Sequence, residues 1–469
     1  MIIGGILAHN EEQRIQRPLK QLLEICETVI VLDDCSKDNT VSVCKDLGAT
    51  VISKHEGDDF KNGREYALRN QLYWSCASHC RTDDWIIIID ADQYFMNEEH
   101  KNLPFLTYKA QLAGADNLNI RLYDMWNDTE YREDEFWNAH LMFYPIASRY
   151  NAEKQYQIPS EPIHCGSLPV ETNTVKYMTD IRLIHTGWVM SDEKKKIKSE
   201  EYKKKDGGKI LKDEHYDSIC DKEPNLKTLK KGKILISAPV FVDNDWKLEA
   251  FKRYLKSLRE LDLPDDYEVR RMFCLHNSPD LVDLIDFKEM EQYVAFEDDC
   301  EYNCEGETHE WKQKNLQALV QMKNFVVEYA KANGYDYIFW VDADLVLQKQ
   351  TLTNLLSKEK DIIAECFWTK WKDADEDANP NCWSYDHYTI IKEELEAWKT
   401  SGVYEVGGTG ACILIKTEVY NRNVHYGNIP RLSMWGEDRH FCVRAICNGR
   451  RVWLCTENPP KHLYRKSEL

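Results

Sequence analysis

Tyr337-Ile-Phe-Trp-Val-Asp-Ala-Asp-Leu-Val346 is an apolar run that stops on two carboxylates, Asp342 and Asp344, one residue apart. Such a run reads as a strand buried on both faces of an open parallel sheet, where ligands gather beyond the carboxyl end. Two hard oxygen donors at that end suit a divalent cation that also holds a diphosphate. The phrase occurs twice, since Trp85-Ile-Ile-Ile-Ile-Asp-Ala-Asp92 precedes it by about 250 residues. A recurrence at that spacing predicts a tandem pair of similar α/β domains rather than a solenoid.

Composition narrows the class. A chain of 469 residues has room for two or three domains, and 43% hydrophobic with 30% charged residues excludes a disordered chain. No apolar run is long enough to span a bilayer. A formal net charge of −19 opposes a nucleic-acid partner, because attraction to phosphate needs a basic surface. The strand-like run Ile2-Ile-Gly-Gly-Ile-Leu7 leaves no room for a secretory leader, so a cytoplasmic chain is expected. The sixteen cysteines show no CxxC pair and no zinc spacing, and are expected as reduced, mostly buried thiols.

In the first half, Ile2 to Leu7 leads through Ala8-His-Asn-Glu-Glu12 into a helical pattern with Ile15, Leu19, Leu22 and Leu23 on one face. Val29 to Leu32 ends at Asp33-Asp34, where Ser36 or Asp38 can cap a helix beginning near Thr40. Thr50 to Ser53 precedes a helix from about Asn62 to Cys80 that carries Arg69 and Asn70, and the acidic strand at Asp90 follows. This βαβαβαβ order predicts a right-handed parallel sheet.

These residues resemble family 2 of the GT-A glycosyltransferases. Ala8 to Glu12, Leu32-Asp-Asp-Cys-Ser-Lys-Asp-Asn-Thr40, Leu68-Arg-Asn70 and Asp90-Ala-Asp92 are similar to its successive motifs, in the right order. The resemblance implies a UDP-sugar site with His9, Asn10 and Glu11 in the first loop, Asp33 and Asp34 at the uracil and ribose, and Arg69 beside the nucleotide. Asp90 and Asp92 would hold Mn²⁺ or Mg²⁺, with His185 of Ile181-Arg-Leu-Ile-His-Thr-Gly-Trp188 as third ligand or, alternatively, a core histidine. The family's carboxylate after an Ile-His pair is missing here, because Ile163-His164 is followed by Cys165-Gly166; Glu161 is the nearest substitute for a catalytic acid. The stretch Asp124 to Trp137, mixing aromatics and carboxylates, reads equally as a sugar-binding or a solvated loop.

From Ser191 the chain turns lysine-rich, and alternating charge with Gly207-Gly208 predicts exposed helices and a break. The expected division is therefore a domain over 1–190, a charged helical linker over 191–232 and a second domain over 233–469.

The second half restarts the pattern. Strands at Lys233 to Val240 and Val269 to Leu275 flank a helix from Trp246 to Leu261, and a helix from Trp311 to Ala332 carries Lys323-Asn324 where the first half has Arg69-Asn70. Pro239, His276 and Asn277 then fall at the strand ends that face a donor. This half resembles the collagen-type galactosyltransferase and Anp1-like GT-A enzymes through Ile338 to Leu345, Ile363-Ala364, Trp383 and Trp435-Gly-Glu-Asp438. The resemblance implies a donor site including Asp342 and Trp383; Lys323 is added as the echo of Arg69, and Gly408, which the collagen-type enzymes do not match, as a small residue before a strand that lets backbone approach a sugar. The resemblance also implies a cation on Asp342 and Asp344, and Asp438, with Glu437 next to it, as the base under the acceptor. His462 is placed like His185. The expected activity is inverting sugar transfer from a nucleotide-sugar donor to a glycan, peptide or other hydroxyl-bearing acceptor. Neither Ala8 to Glu12 nor Pro239 to Asp245 offers the glycine-rich, lysine-bearing phosphate loop of a sugar-nucleotide pyrophosphorylase.

Overall fold

The computed structural model describes residues 1–54, 64–161, 166–169, 171, 174–299, 313–370, 377–386, 388–432 and 436–469. Ile163-His164-Cys165, Trp435, and the expected helix starts at Asn62 and Trp311 lie outside these residues. The chain divides into two compact units, Met1–Leu229 and Lys230–Leu469.

In the first unit β1 (Ile2–Ala8), α1 (Gln16–Ile25), β2 (Thr28–Asp33), α2 (Thr40–Asp46), β3 (Thr50–Ser53), α3 (Glu65–Ala77) and β4 (Trp85–Asp90) reproduce the expected alternation. Beyond it come β5 (Gln93–Phe95), α4 (Leu103–Leu112), β6 (Asn117–Asp124), β7 (Glu130–Arg132), β8 (Tyr144–Arg149) and β9 (Lys176–His185). Among the described residues the main sheet runs β3-β2-β1-β4-β8-β6-β9-β5. Its first four strands are parallel, while β8 is antiparallel to β4 and β6, so the sheet is mixed and mostly parallel. Asp38 Oδ1 accepts the Thr40 amide at 3.0 Å and so serves the start of α2.

The lysine-rich stretch differs from its expectation. It folds as α5 (Asp192–Asp206) and α6 (Asp213–Ser218), and β10 (Leu226–Thr228) pairs antiparallel with β7. Trp126, Trp137, Trp188, Tyr216 and Ile219 form a buried cluster against which Tyr202, Leu211 and Leu226 pack. Lys195 Nζ lies 3.9 Å from the Trp126 ring centre and Lys198 Nζ 4.0 Å from that of Trp188. The face of α5 toward the unit is thus covered by lysine stems, whose methylenes pack like apolar side chains while sequence counts only their charge. The compact unit accordingly reaches Leu229, not 190.

The second unit repeats the plan. β11 (Gly232–Val240), α7 (Asp245–Arg259), β12 (Tyr267–His276), β13 (Glu291–Phe296), α8 (Gln313–Ala332) and β14 (Tyr337–Trp340) come first. They are followed by β15 (Leu345–Val346), α9 (Thr351–Ser357), β16 (Ile362–Glu365), β17 (Trp368–Thr369), β18 (Asn379–Pro380) and β19 (Cys382–Trp383). Last are α10 (Lys392–Trp398), β20 (Val403–Val406), β21 (Gly408–Thr409), β22 (Ile413–Lys416), α11 (Glu437–Cys447), β23 (Val452–Cys455) and β24 (Lys461–His462). The main sheet runs β13-β12-β11-β14-β22-β16-β23-β20, again parallel through its first four strands and antiparallel at the next pairing.

Two-sided burial explains why the central strands are apolar throughout. Leu235, Ile338, Trp340 and Ile413 belong to one core layer, and Ile234, Ile236, Phe339 and Leu414 to the layer on the opposite face. Successive side chains of a strand point to opposite faces, and each buried Leu or Ile contributes roughly 1.5–3 kcal/mol. The thirteen cysteines among the described residues are free thiols, eight of them buried.

Candidate active site

In the second unit the acidic tip, α8 and α11 converge beyond the carboxyl end of β14. Lys323, on α8, places Nζ 2.6 Å from Glu437 Oε1 and 2.8 Å from Asp438 Oδ1. Lys323 and Glu437 are buried, whereas the Asp438 side chain keeps 25% of its surface exposed. Burial and the neighbouring Glu437 push the Asp438 carboxyl up to about 7 against the pull of Lys323. Burial and Asp344 likewise raise Asp342 to about 6. Burial opposes charge on Lys323, yet Asp438 and Glu437 hold its pKa above the ordinary lysine value. Asp438 Oδ2 lies against Gly410, where an added Cβ would stand only 2.3 Å away, so no other residue fits there without displacing the carboxylate. The first turn of α11 has no side-chain cap at Gly436. Its two acids are instead held by a lysine from another helix, an arrangement that helix capping does not call for.

His462 and Asp344 form the adjacent pair. Leu345 pairs with His462 across β15 and β24, and the Leu463 amide donates to the Asp344 carbonyl at 2.9 Å. This register sets His462 Nε2 3.3 Å from Asp344 Oδ2, while Nδ1 meets Thr369 Oγ1 at 2.7 Å.

The first unit builds the same pair with different support. Gln93 pairs with His185 across β5 and β9, and the Thr186 amide donates to the Asp92 carbonyl at 2.9 Å. His185 Nε2 stands 3.6 Å from Asp92 Oδ2 and Nδ1 2.7 Å from Asp124 Oδ1. Asp124, the last residue of β6, is a functional candidate that sequence left in an ambiguous loop. Burial disfavours charge on His185, but Asp92 and Asp124 raise it to about 10, and the imidazole in turn holds the half-buried Asp92 below the ordinary carboxylate range. A Cβ on Gly187 would lie 2.4 Å from His185 Nε2 and 2.7 Å from Asp92 Oδ2, so the close approach depends on glycine. Sequence reasoning gave Gly187 no role.

Among the described residues no three His, Cys, Asp or Glu side chains converge to hold a metal ion. Each unit does present an aspartate and a histidine nitrogen at a spacing that two ligands of one cation can share. In each the outer ring nitrogen is fixed by a hydrogen-bonding partner, as metal-binding histidines require. The donor chemistry of Asp92 with His185, and of Asp344 with His462, fits two ligands of one divalent cation in each unit.

Other expected residues are placed less directly. Arg69 does not stand open for a nucleotide: it is buried, its Nη2 2.9 Å from Glu65 Oε1 and 3.1 Å from Asp90 Oδ2, and its Nη1 also bonds Asp90. Both oxygens of Asp90 are thereby held by a guanidinium, which sequence distance could not reveal. Asp33 is buried, and its Oδ1 has no hydrogen-bond partner among the described residues. His9 Nδ1 lies 2.6 Å from the Asp34 carbonyl, Asn10 Oδ1 accepts the Lys37 amide at 2.7 Å, and Glu11 pairs with Arg14 at 2.7 Å. The first two bonds tie the loops after β1 and β2 together, and the third stays within the loop after β1. Glu161 is joined to Asp90, Asp92 or His185 by no hydrogen bond or ion pair among the described residues.

In the second unit His276 Nε2 is 3.0 Å from Asp298 Oδ1, and Asn277 Oδ1 accepts the Asp298 amide at 3.0 Å. Pro239 lies on β11, partly buried. Trp383 and Gly408 come together, but against each other: the Trp383 ring fills the place a Gly408 Cβ would take, 2.3 Å from its nearest atom. The glycine makes room for the tryptophan, which is buried and meets Tyr388 edge-on at 4.6 Å. Arg439, unnoticed in sequence, pairs with Asp386 through bonds of 2.6 and 2.9 Å and anchors the turn that carries Asp438.

Residues 5–106 match the family described as Glycosyl transferase family 2, and residues 252–423 that described as Glycosyltransferase family 25, N-terminal domain. Among curated relatives, the SPbeta prophage-derived glycosyltransferase SunS of Bacillus subtilis is 25% identical over 201 residues, 42% of this chain and 42% of SunS. An uncharacterized glycosyltransferase of Rickettsia typhi is 33% identical over 101 residues, 22% of this chain and 31% of the relative. The chain thus spans less than half the length of either. A solved structure of S. aureus TarS 1-349 in complex with UDP aligns at 16% identity and TM-score 0.29, covering 47% of this chain and 70% of that one. Glucosyl-3-phosphoglycerate synthase from Mycobacterium tuberculosis, in complex with Mn²⁺, UDP and glucosyl-3-phosphoglycerate, aligns at 23% identity and TM-score 0.20, covering 26% and 44%.

Proposed function

Since this chain is a tandem of two glycosyltransferase domains, the first of family 2 and the second of the family 25 type, we propose that it moves a sugar from a nucleotide-sugar donor to an acceptor hydroxyl. The donor is of the UDP-sugar class and the acceptor a glycan, peptide or other hydroxyl-bearing molecule. The observation that supports this most is the Lys323, Glu437 and Asp438 group beside the acidic tip. A carboxyl near pH 7, partly exposed and fixed by a lysine, has the properties of a general base at neutral pH.

In this reading Asp438 takes the acceptor hydroxyl proton as that oxygen attacks the anomeric carbon from the side opposite the leaving group. The bond from the anomeric carbon to the phosphate oxygen breaks, the nucleoside diphosphate leaves with the electron pair, and configuration inverts. Lys323 fixes Asp438 by its Oδ1, leaving Oδ2 for the proton. Mn²⁺ or Mg²⁺, held by Asp342, Asp344 and His462, and in the first domain by Asp92 and His185 with Asp90 behind them, would lend positive charge to the diphosphate. Asp33 Oδ1, buried and lacking a donor, suits the imide N–H of uracil in the first domain. Both domains then bind donors and the protein is bifunctional.

One observation favours a second reading, in which the first domain recognises the acceptor and only the second transfers. The segment Ile163-His164-Cys165-Gly166 supplies no carboxylate, and Glu161 forms no hydrogen bond or ion pair with the Asp92 group among the described residues.

A screen of nucleotide sugars for Mn²⁺-dependent hydrolysis and transfer tests the proposal. Turnover is expected with a UDP-sugar and should be abolished by EDTA, and the share due to the second domain by Asp344→Ala. Full turnover in EDTA would remove the metal from the reading, and no turnover with any donor would remove the activity.

A further inference from the structure

The first-domain site holds an excess of carboxylates, and one cation there comes from an unexpected part of the chain. Asp92, Asp124 and Glu11 face one another across the ends of β4, β6 and β1, with Arg14 and His185 as the nearby positive groups. Arg14 is committed to Glu11 through two bonds, of 2.7 and 2.8 Å, and His185 is committed to Asp92 and Asp124. Lys198, on α5, is different. Its ammonium donates at 2.9 Å to the carbonyl of Gly187, the residue where an added Cβ would meet both His185 Nε2 and Asp92 Oδ2.

The placement is specific. Lys195, Lys198 and Tyr202 lie three and four residues apart, hence on one helical face. That face packs on Trp126 and Trp188, with Tyr202 6.2 Å from Trp188. The helix is fixed at its start by Ser191, which accepts the Lys194 amide, and at its end by Gly207 in the left-handed region. Lys198 is half-buried, and Asp92, Asp124 and Glu11 all act on its charge without forming an ion pair with it. Among the described residues this half-buried ammonium donates one hydrogen bond, to a neutral carbonyl, so it retains donors for an anion, and lysine binds phosphate as a point charge.

We propose that Lys198 is a phosphate-binding residue of the first domain's donor site, reaching the diphosphate of a bound nucleotide from the lysine-rich helix α5. The proposal rests on reading that domain as nucleotide-binding.

The test uses the full chain carrying Asp344→Ala, which silences the second site, with Mn²⁺ present. UDP and uridine are titrated calorimetrically. Lys198→Met should weaken UDP about tenfold or more, the scale of a charge-assisted bond, and leave uridine unchanged. Lys198→Arg should restore most of the UDP affinity. Lys198→Gln keeps a hydrogen bond to Gly187 and so preserves packing if the methionine variant unfolds; it should lose UDP affinity equally, since it lacks charge. UDP binding that Asp92→Ala weakens but the Lys198 variants do not would overturn this proposal alone. UDP binding absent, or indifferent to Asp92→Ala, would overturn the donor-site reading together with it. Equal losses for UDP and uridine would mark Lys198 as structural and also overturn the proposal.

Discussion

Asp438 carries opposed influences at one carboxyl: burial and Glu437 favour its neutral form, Lys323 its charged form, and the balance lies at about 7. A base must be unprotonated to act, so activity is present above that value and falls as pH drops through it. In kcat/KM the acid limb should descend about tenfold per pH unit below about 7, and Asp438→Asn should remove the limb while lowering the rate by about 10²–10⁴-fold. Donor affinity and melting temperature should hardly move, because asparagine replaces aspartate in shape. Retention of near-native turnover by the Asn variant would return Asp438 to a merely structural place and pass the role to Glu437. Gly410→Ala tests the same carboxylate from outside. A Cβ 2.3 Å from Asp438 Oδ2 must push it aside, and a displacement of about 1 Å can cost about 10²-fold in rate. An alanine variant with native kcat would show that Asp438 can shift freely without consequence.

Between elements, the decisive link is α8 to α11. Lys323 bridges Glu437 and Asp438 at 2.6 and 2.8 Å. Lys323→Met removes the cation and leaves two close carboxylates, a change that costs about 3–5 kcal/mol for a buried pair broken on one side. Thermal melting should show a loss of roughly 2–4 °C for each kcal/mol in a unit of this size. The double change Lys323→Met with Glu437→Gln should recover part of it, since one of the stranded charges is then gone. A single variant as stable as the native protein would mean that the carboxylates simply take up protons without strain. In the first unit the corresponding basic residue, Arg69, instead grips Asp90 and Glu65. The helix before the acidic strand thus supports the acidic tip in one unit and the candidate base in the other.

At the scale of the whole molecule, each unit has its own sheet and its own core, with the division after Leu229. Fragments 1–229 and 230–469 should each fold and melt cooperatively, whereas 1–190 should melt lower or aggregate, because it lacks the helices that cover Trp126, Trp137 and Trp188. Circular dichroism and light scattering on the three fragments decide it, and a soluble, equally stable 1–190 would show that α5 and α6 are dispensable. Among the described residues no helix is long and apolar enough to cross a membrane. The sequence by itself determined the tandem of α/β units, the strand ends that carry Asp33, Asp90, Asp92, Asp342 and Asp344, and the helix that begins at Glu437. All of these follow from local periodicity and from apolar runs ending in acids, which neighbouring residues encode. Only the tertiary structure decided that Lys323 meets Asp438, that Asp124 and Thr369 orient the two histidines, that Trp383 rests on Gly408, and that the lysine-rich segment belongs to the first unit. Those pairings join residues up to 115 positions apart in the chain, and the distance between two charges is set by how helices and strands pack, which no local pattern records.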